Sequence, residues 1–234
     1  MRDFAAYSLS HCLVLSITII ALCLVLLFAR KIKKGSPGDK AIRYIAVTIM
    51  LCLEVTFLVM SIPIESNKAY LLPLELCTIS LYAMSFLLLS YNERVFKIVF
   101  FWAVLGSCLA ILFPMLSSPF PTFRFWHYFL NHAIIFVMAH YMLLVERVEI
   151  KFKDFLFSWT IHLVVLLVIV LPVNFIFGTN FMFIMKRPAI FTTVFDWSGP
   201  VAPILWVLFI IALYHVFYLY LRLLSKLRNK MAKE

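Results

Sequence analysis

The chain has 234 residues, 65% of them hydrophobic and 14% charged, with a formal net charge of +10. That composition excludes an ordinary soluble globular domain. The five cysteines, Cys12, Cys23, Cys52, Cys77 and Cys108, all lie in apolar runs and at no metal-ligand spacing, which argues against a disulfide framework or a zinc site.

Apolar runs of about 18 to 22 residues recur along the whole length, each long enough to cross a hydrocarbon core as a helix. The pattern predicts an all-α, polytopic membrane protein with spans at 10–30, 41–62, 71–90, 96–116, 126–145, 155–177 and 200–221, forming one seven-helix domain over 1–234. The first span is too long, and too poor in a small-residue cleavage site, for a removed signal peptide. Between spans one and two, KKGSPGDK (33–40) reads as a turn. Span two carries Glu54 within MLCLEVTFLV, and span three opens with LPLELC, where Pro73 suits a first helical turn and would put Cys77 in the second. Span four contains FWAVLGSCLAILFP, and span five follows FPTFRFWHYFLNH, with His127 and His132 near its start and His140 deeper. Spans six and seven hold His162 and His215. The segment between them, 178–199, is rich in Phe, Ile and Met; it is expected either to lie in the interface on aromatic anchors or to cover an outward-facing cavity.

Charge orients these spans. Of the 21 Lys and Arg, 16 fall on one alternating set of connections, including Lys31, Lys33 and Lys34 after span one and Lys226, Arg228 and Lys230 after span seven. The other set holds only Arg2, Lys68, Arg124, Lys186 and Arg187. The positive-inside rule then expects the N-terminus outside and the C-terminus in the cytoplasm, as an odd number of spans requires. Anionic lipid headgroups suffice as partners for the basic tail, with no need for nucleic acid.

Ionisable groups inside a bilayer cost roughly 2.5 to 3.5 kcal/mol on insertion scales, so each needs a reason. A rise of about 1.5 Å per residue puts Cys77 and His132 about 9 Å below the outer boundary, His11 close to it, and Glu54 about 12 Å down, where it could hydrogen-bond a histidine. His140, His162 and His215 lie deeper and read as interhelical hydrogen-bond partners. A helix N-terminus favours thiolate while hydrocarbon disfavours it, so a reactive Cys77 requires His132 or His11 within hydrogen-bond reach. Cysteine, histidine and an orienting carboxylate together are a workable acyl-transfer set. Arg124, Lys186 and Arg187, close in depth, read either as interfacial anchors or as ligands for a lipid phosphate.

FAAYSLSH (4–11), Glu54, LPLELC (72–77), FWAVLGSCLAILFP (101–114), FPTFRFWHYFLNH (120–132), GTNFMFIMKRP (178–188) and DWSGP (196–200), in this order, resemble the YwaF-like bacterial integral membrane proteins. That family also includes the eukaryotic transmembrane protein 164, described as a phospholipid acyltransferase. The resemblance implies a seven-helix acyltransferase of the cell membrane acting on phospholipid or another acylated lipid at the outer leaflet, with no metal and no cofactor. It implies Cys77 as catalytic thiol, with His132 and His11 beside it. Glu54, Glu75 and Asn131 would support them, and Arg124, Asn180, Lys186 and Arg187 would bind substrate. Glu75 and Thr78 depart from the family pattern. Two other classes stay open: a transporter or lipid binder, for which Glu54 would serve proton coupling, and a structural membrane protein whose polar groups lock helices together.

Overall fold

The structure is a computed structural model describing residues 4–29, 31–145, 147–186, 191, 199 and 201–231, with side chains excepted at 202–203 and 227–231. Arg187 and half of the 178–199 segment fall outside the described residues. The described residues are helical and contain no strand. Seven helical stretches are long and apolar enough to cross a membrane: Leu9–Phe28, Pro37–Ser61, Lys68–Ser90, Glu93–Leu112, Phe123–Val145, Phe152–Phe177 and Ile204–Lys226.

The chain divides into two compact units, Met1–Ile150 and Lys151–Glu234. The first holds α1 (Leu9–Phe28), α2 (Pro37–Ser61), α3 (Leu76–Ser90), α4 (Glu93–Leu112) and α5 (Phe123–Val145). Helix α5 touches all four others, and α3 packs along α2 and α4. Local sequence sets the ends of these helices. Ser36 accepts the Asp39 N–H at 3.3 Å and Pro37 enters the first turn, so the KKGSPGDK linker turns straight into α2. Tyr91 ends α3 in the left-handed conformation, and Asn92 then caps α4 by accepting the Val95 N–H at 3.1 Å. The core lies along α4 and α5, where Phe96, Phe100, Phe101, Phe125 and Phe129 are fully buried. On α1, by contrast, Leu9, Leu13, Ile17, Ile20 and Leu27 are exposed, as a lipid-facing helix requires.

At the end of this unit where α2 begins, Asp39 and Arg43 are both completely buried. Asp39 accepts from the Tyr141 hydroxyl at 2.7 Å, from the Gly35 N–H at 2.8 Å and from the Tyr91 hydroxyl. The Arg43 guanidinium lies 3.4 Å from the Asp39 carboxylate, donates to the Leu88 carbonyl and stacks on Tyr91 at 3.4 Å. One carboxylate thereby joins α2, the end of α3 and α5. A buried ion pair without such additional bonds would not offset its desolvation.

The second unit holds α6 (Phe152–Val165), a π turn (Leu166–Val170), α7 (Leu171–Phe177) and α8 (Ala202–Met231). The π turn directly precedes Pro172, which has no N–H to donate and whose ring crowds the carbonyl four residues back; widening the turn accommodates both. Gly178, at φ 65°, ends α7 in a left-handed conformation. The Asn174 side chain then closes the turn, donating to the Phe181 carbonyl at 3.1 Å and accepting the Phe181 N–H at 2.8 Å.

Candidate functional site: the Cys77 end of the first unit

Helix α3 begins at Leu76, not at Pro73 as the sequence pattern predicts. Lys68–Leu71 forms a 3₁₀ turn, and Leu72, ahead of the proline, is extended (ψ 140°). Pro73 excludes the preceding residue from helical geometry, so it ends the turn rather than starting the helix. Glu75 is the N-cap residue and its carboxylate accepts no capping hydrogen bond. Cys77 is therefore the second residue of the first turn. The first intrahelical bond runs from the Ile79 N–H to the Glu75 carbonyl at 2.9 Å, so the N–H groups of Leu76, Cys77 and Thr78 have no helical acceptor.

The thiol is half-buried and packs on α4. A Cβ placed on Gly106 would lie 3.2 Å from the Cys77 sulfur and 3.4 Å from Leu76 Cδ2. The glycine thus leaves the space that the thiol occupies. One turn further along α4, the Ala110 carbonyl accepts the Tyr128 hydroxyl at 3.1 Å, and that hydroxyl in turn accepts the Met115 N–H at 3.2 Å. Tyr128 lies within electrostatic range of both Cys77 and Glu75, and its ring meets the His132 ring at 4.5 Å.

The three histidines at this end differ in what their nitrogens have left to do. His11, fully buried, accepts the Tyr7 N–H at Nδ1 (2.9 Å) and donates from Nε2 to the Ile111 carbonyl (2.8 Å). Both of its nitrogens are committed to backbone, fastening α1 to the end of α4. His127 is also fully committed, but to side chains: Nδ1 faces the Arg124 guanidinium at 2.7 Å and Nε2 faces the Glu54 carboxylate at 3.0 Å. His132 is half-buried and uses only Nδ1, which donates to the Tyr128 carbonyl at 2.5 Å. A carbonyl only accepts, so Nδ1 carries the proton and Nε2 keeps a lone pair with no protein partner among the described residues.

The carboxylate expected to meet a histidine does so at His127. Glu54 is 5% exposed and its partner 7%, and Phe57 stacks on the imidazole at 4.3 Å. His127 and Tyr128 were not anticipated as site residues. The signal for His127 was the spacing of Arg124, His127 and Asn131, which puts three polar groups on one face of α5. Asn131, 3% exposed, has neither a donor nor an acceptor partner among the described residues for its carboxamide. On α3 the Ser80 and Ser85 hydroxyls are likewise buried without a hydrogen-bond partner among the described residues.

Asn180 and Lys186 belong to the second unit. The Asn180 carboxamide accepts the N–H groups of Met185 and Lys186 at 3.0 and 2.9 Å and donates to the Lys186 carbonyl at 2.9 Å, so it folds its own loop. Among the deeper histidines, His162 accepts from the Tyr214 hydroxyl of α8 at 2.5 Å, whereas His140 and His215 bond carbonyls of their own helices, Phe136 at 2.7 Å and Ile211 at 2.8 Å.

The fold and this site together define a multi-pass α-helical membrane protein with a polar cluster buried at one end of a five-helix unit. Among the described residues no group of three or more histidine, cysteine or acidic side chains is arranged to hold a metal ion. The TMEM164 family model matches residues 6–221, and the chain belongs to that family. No curated protein and no solved structure matches it.

Proposed function

We propose that this protein is a thiol-dependent lipid acyltransferase of the cell membrane, working on phospholipid or another acylated lipid at the outer-leaflet side. The observation that carries the reading is the pairing, in one unit, of a thiol on a helix N-terminus and a histidine with one uncommitted nitrogen. Family membership supports it, through the activity the resemblance implies.

In this mechanism His132 Nε2 takes the Cys77 proton and the thiolate attacks the carbonyl carbon of an acyl ester. The carbonyl π electrons move onto oxygen, where the uncommitted N–H groups of Cys77 and Thr78 meet the developing charge. Collapse breaks the ester C–O bond, and the departing alcohol takes its proton from the imidazolium, leaving a thioester on Cys77. An acceptor alcohol then loses its proton to His132 and attacks the thioester, and the thiol is regenerated. Water in place of that alcohol gives hydrolysis. His11, whose nitrogens are spent, acts here by holding α1 against α4, with Glu54, Glu75 and Asn131 supporting the cluster.

Incubation of the purified protein with a phospholipid carrying a labelled acyl chain tests the reading. Label is expected on the protein or on an added acceptor lipid, and Cys77→Ala abolishes both. Labelling that survives Cys77→Ala removes the thiol from the mechanism. No acyl movement over a broad lipid panel overturns the enzyme reading in favour of a carrier or structural role.

A further inference from the structure

The mechanism above makes no use of Glu54, His127 and Arg124 as reacting groups, yet they form the most completely specified polar cluster of the unit. Guanidinium has five N–H donors and no acceptor, so His127 Nδ1, 2.7 Å from Arg124, must be the unprotonated nitrogen. The proton then sits on Nε2 and is donated to Glu54 at 3.0 Å. The imidazole is neutral and held in one tautomer by its two neighbours. It passes hydrogen bonding from a buried carboxylate to a cation without taking a charge itself. Phe57 packs beneath both partners, with the His127 ring stacked on it at 4.3 Å and the guanidinium carbon of Arg124 4.3 Å from its centroid.

The guanidinium is thus fixed on one side by a hydrogen bond and on one face by an aromatic ring. Arg124 itself is half-buried, and its other N–H donors meet no protein acceptor among the described residues. A rigidly held guanidinium with unused, accessible donors matches the geometry of a phosphate, which it can grip through two parallel bonds. At the opposite end of the unit, by contrast, the Arg43 guanidinium is turned onto protein groups, donating to the Leu88 carbonyl and lying 3.4 Å from the Asp39 carboxylate.

We propose that Arg124 is the receptor for a phosphate group and that His127 and Glu54 are its positioning residues. For the lipid substrate this rests on the acyltransferase reading, and it assigns the headgroup phosphate to the α2–α5 side of the cluster while the ester meets Cys77 on the α4 side.

Binding is measured in Cys77→Ala protein in uncharged detergent, so that transfer is switched off and failure of the catalytic proposal cannot imitate failure of this one. The probes are dihexanoylphosphatidylcholine, dihexanoylglycerol and inorganic phosphate. The phospholipid is expected to bind about tenfold or more tightly than the acylglycerol, the scale of hydrogen bonds to a charged group. Arg124→Gln erases that preference while leaving acylglycerol affinity in place, which also shows that the variant is folded. His127→Phe keeps the aromatic stack and breaks both hydrogen bonds, so it erases the preference too. His127→Gln restores most of it, because an amide offers one acceptor and one donor as the neutral imidazole does. Inorganic phosphate that competes with the phospholipid supports the receptor. If phosphate alone binds, through Arg124, the receptor stands and its ligand is the free anion. A preference unchanged in Arg124→Gln overturns the proposal, and His127→Gln behaving like His127→Phe removes the positioning role.

Discussion

A glycine, an asparagine and a histidine carry the sharpest expectations at the scale of single residues. Gly106→Ala adds about 1 kcal/mol of helix propensity, but its Cβ would meet the Cys77 sulfur at 3.2 Å. The thiol must give by a few tenths of an ångström, a fraction of the roughly 1 Å misplacement that costs about a hundredfold in rate. Acyl transfer is expected to fall about tenfold, with thermal stability unchanged within roughly 1 kcal/mol; a rate equal to wild type would show that the glycine does not position the sulfur. Asn131 has a buried carboxamide with no partner among the described residues, a state that costs about 1–3 kcal/mol. Asn131→Leu, similarly branched and apolar, is expected to melt at higher temperature and to transfer more slowly, the combination expected where a polar group is kept for function. His132 illustrates what the sequence could not convey. All three histidines at this end are equivalent as letters, and depth along the helix grouped His132 with His11. Only the direction of each hydrogen bond separates a histidine with a lone pair to use from two whose nitrogens are spent.

At the scale of elements, the seven spans were legible because a bilayer demands long apolar runs, and their number and approximate limits follow from length alone. The start of α3 was not. Pro73 is equally at home opening a helix and closing a preceding turn, and the 3₁₀ turn at Lys68–Leu71 decides between them by tertiary context. The partner of Glu54 was half legible: a buried carboxylate required a partner, but choosing His127 needed the register of α2 against α5. The same two helices meet at their other ends through Asp39 and Tyr141. Asp39→Ala there strands the Arg43 charge and is expected to cost about 3–5 kcal/mol, read as a lower melting temperature. The double change Asp39→Leu with Arg43→Met is expected to recover much of that loss, since apolar side chains in place of a buried ion pair are often neutral or better. Equal damage from the single and double variants would show that the tyrosine hydrogen bonds, not the stranded charge, dominate.

For the whole molecule, orientation is the property that charge distribution predicts and helix packing does not contain. Single cysteines introduced at Ser36 and at Asn67, which lies in the connection between α2 and α3, in an otherwise cysteine-free background, are expected to react with a membrane-impermeant maleimide from opposite sides, Asn67→Cys from outside. Labelling of Ser36→Cys in intact cells would invert the topology and move the candidate site to the cytoplasmic leaflet.

The two ends of the first unit also differ in how much hydrogen-bonding capacity is already spent. Around Asp39, hydroxyls, guanidinium and backbone converge on one another. At the Cys77 end, a guanidinium, an imidazole nitrogen and the opening N–H groups of α3 retain capacity that no group among the described residues uses. A scan of substitutions along the helices should therefore sort by position: changes near Asp39 lower the amount of protein in the membrane, while changes near Cys77 leave its amount and lower its turnover. The gradient gives the bundle a polarity of purpose, one end built to persist and the other built to receive.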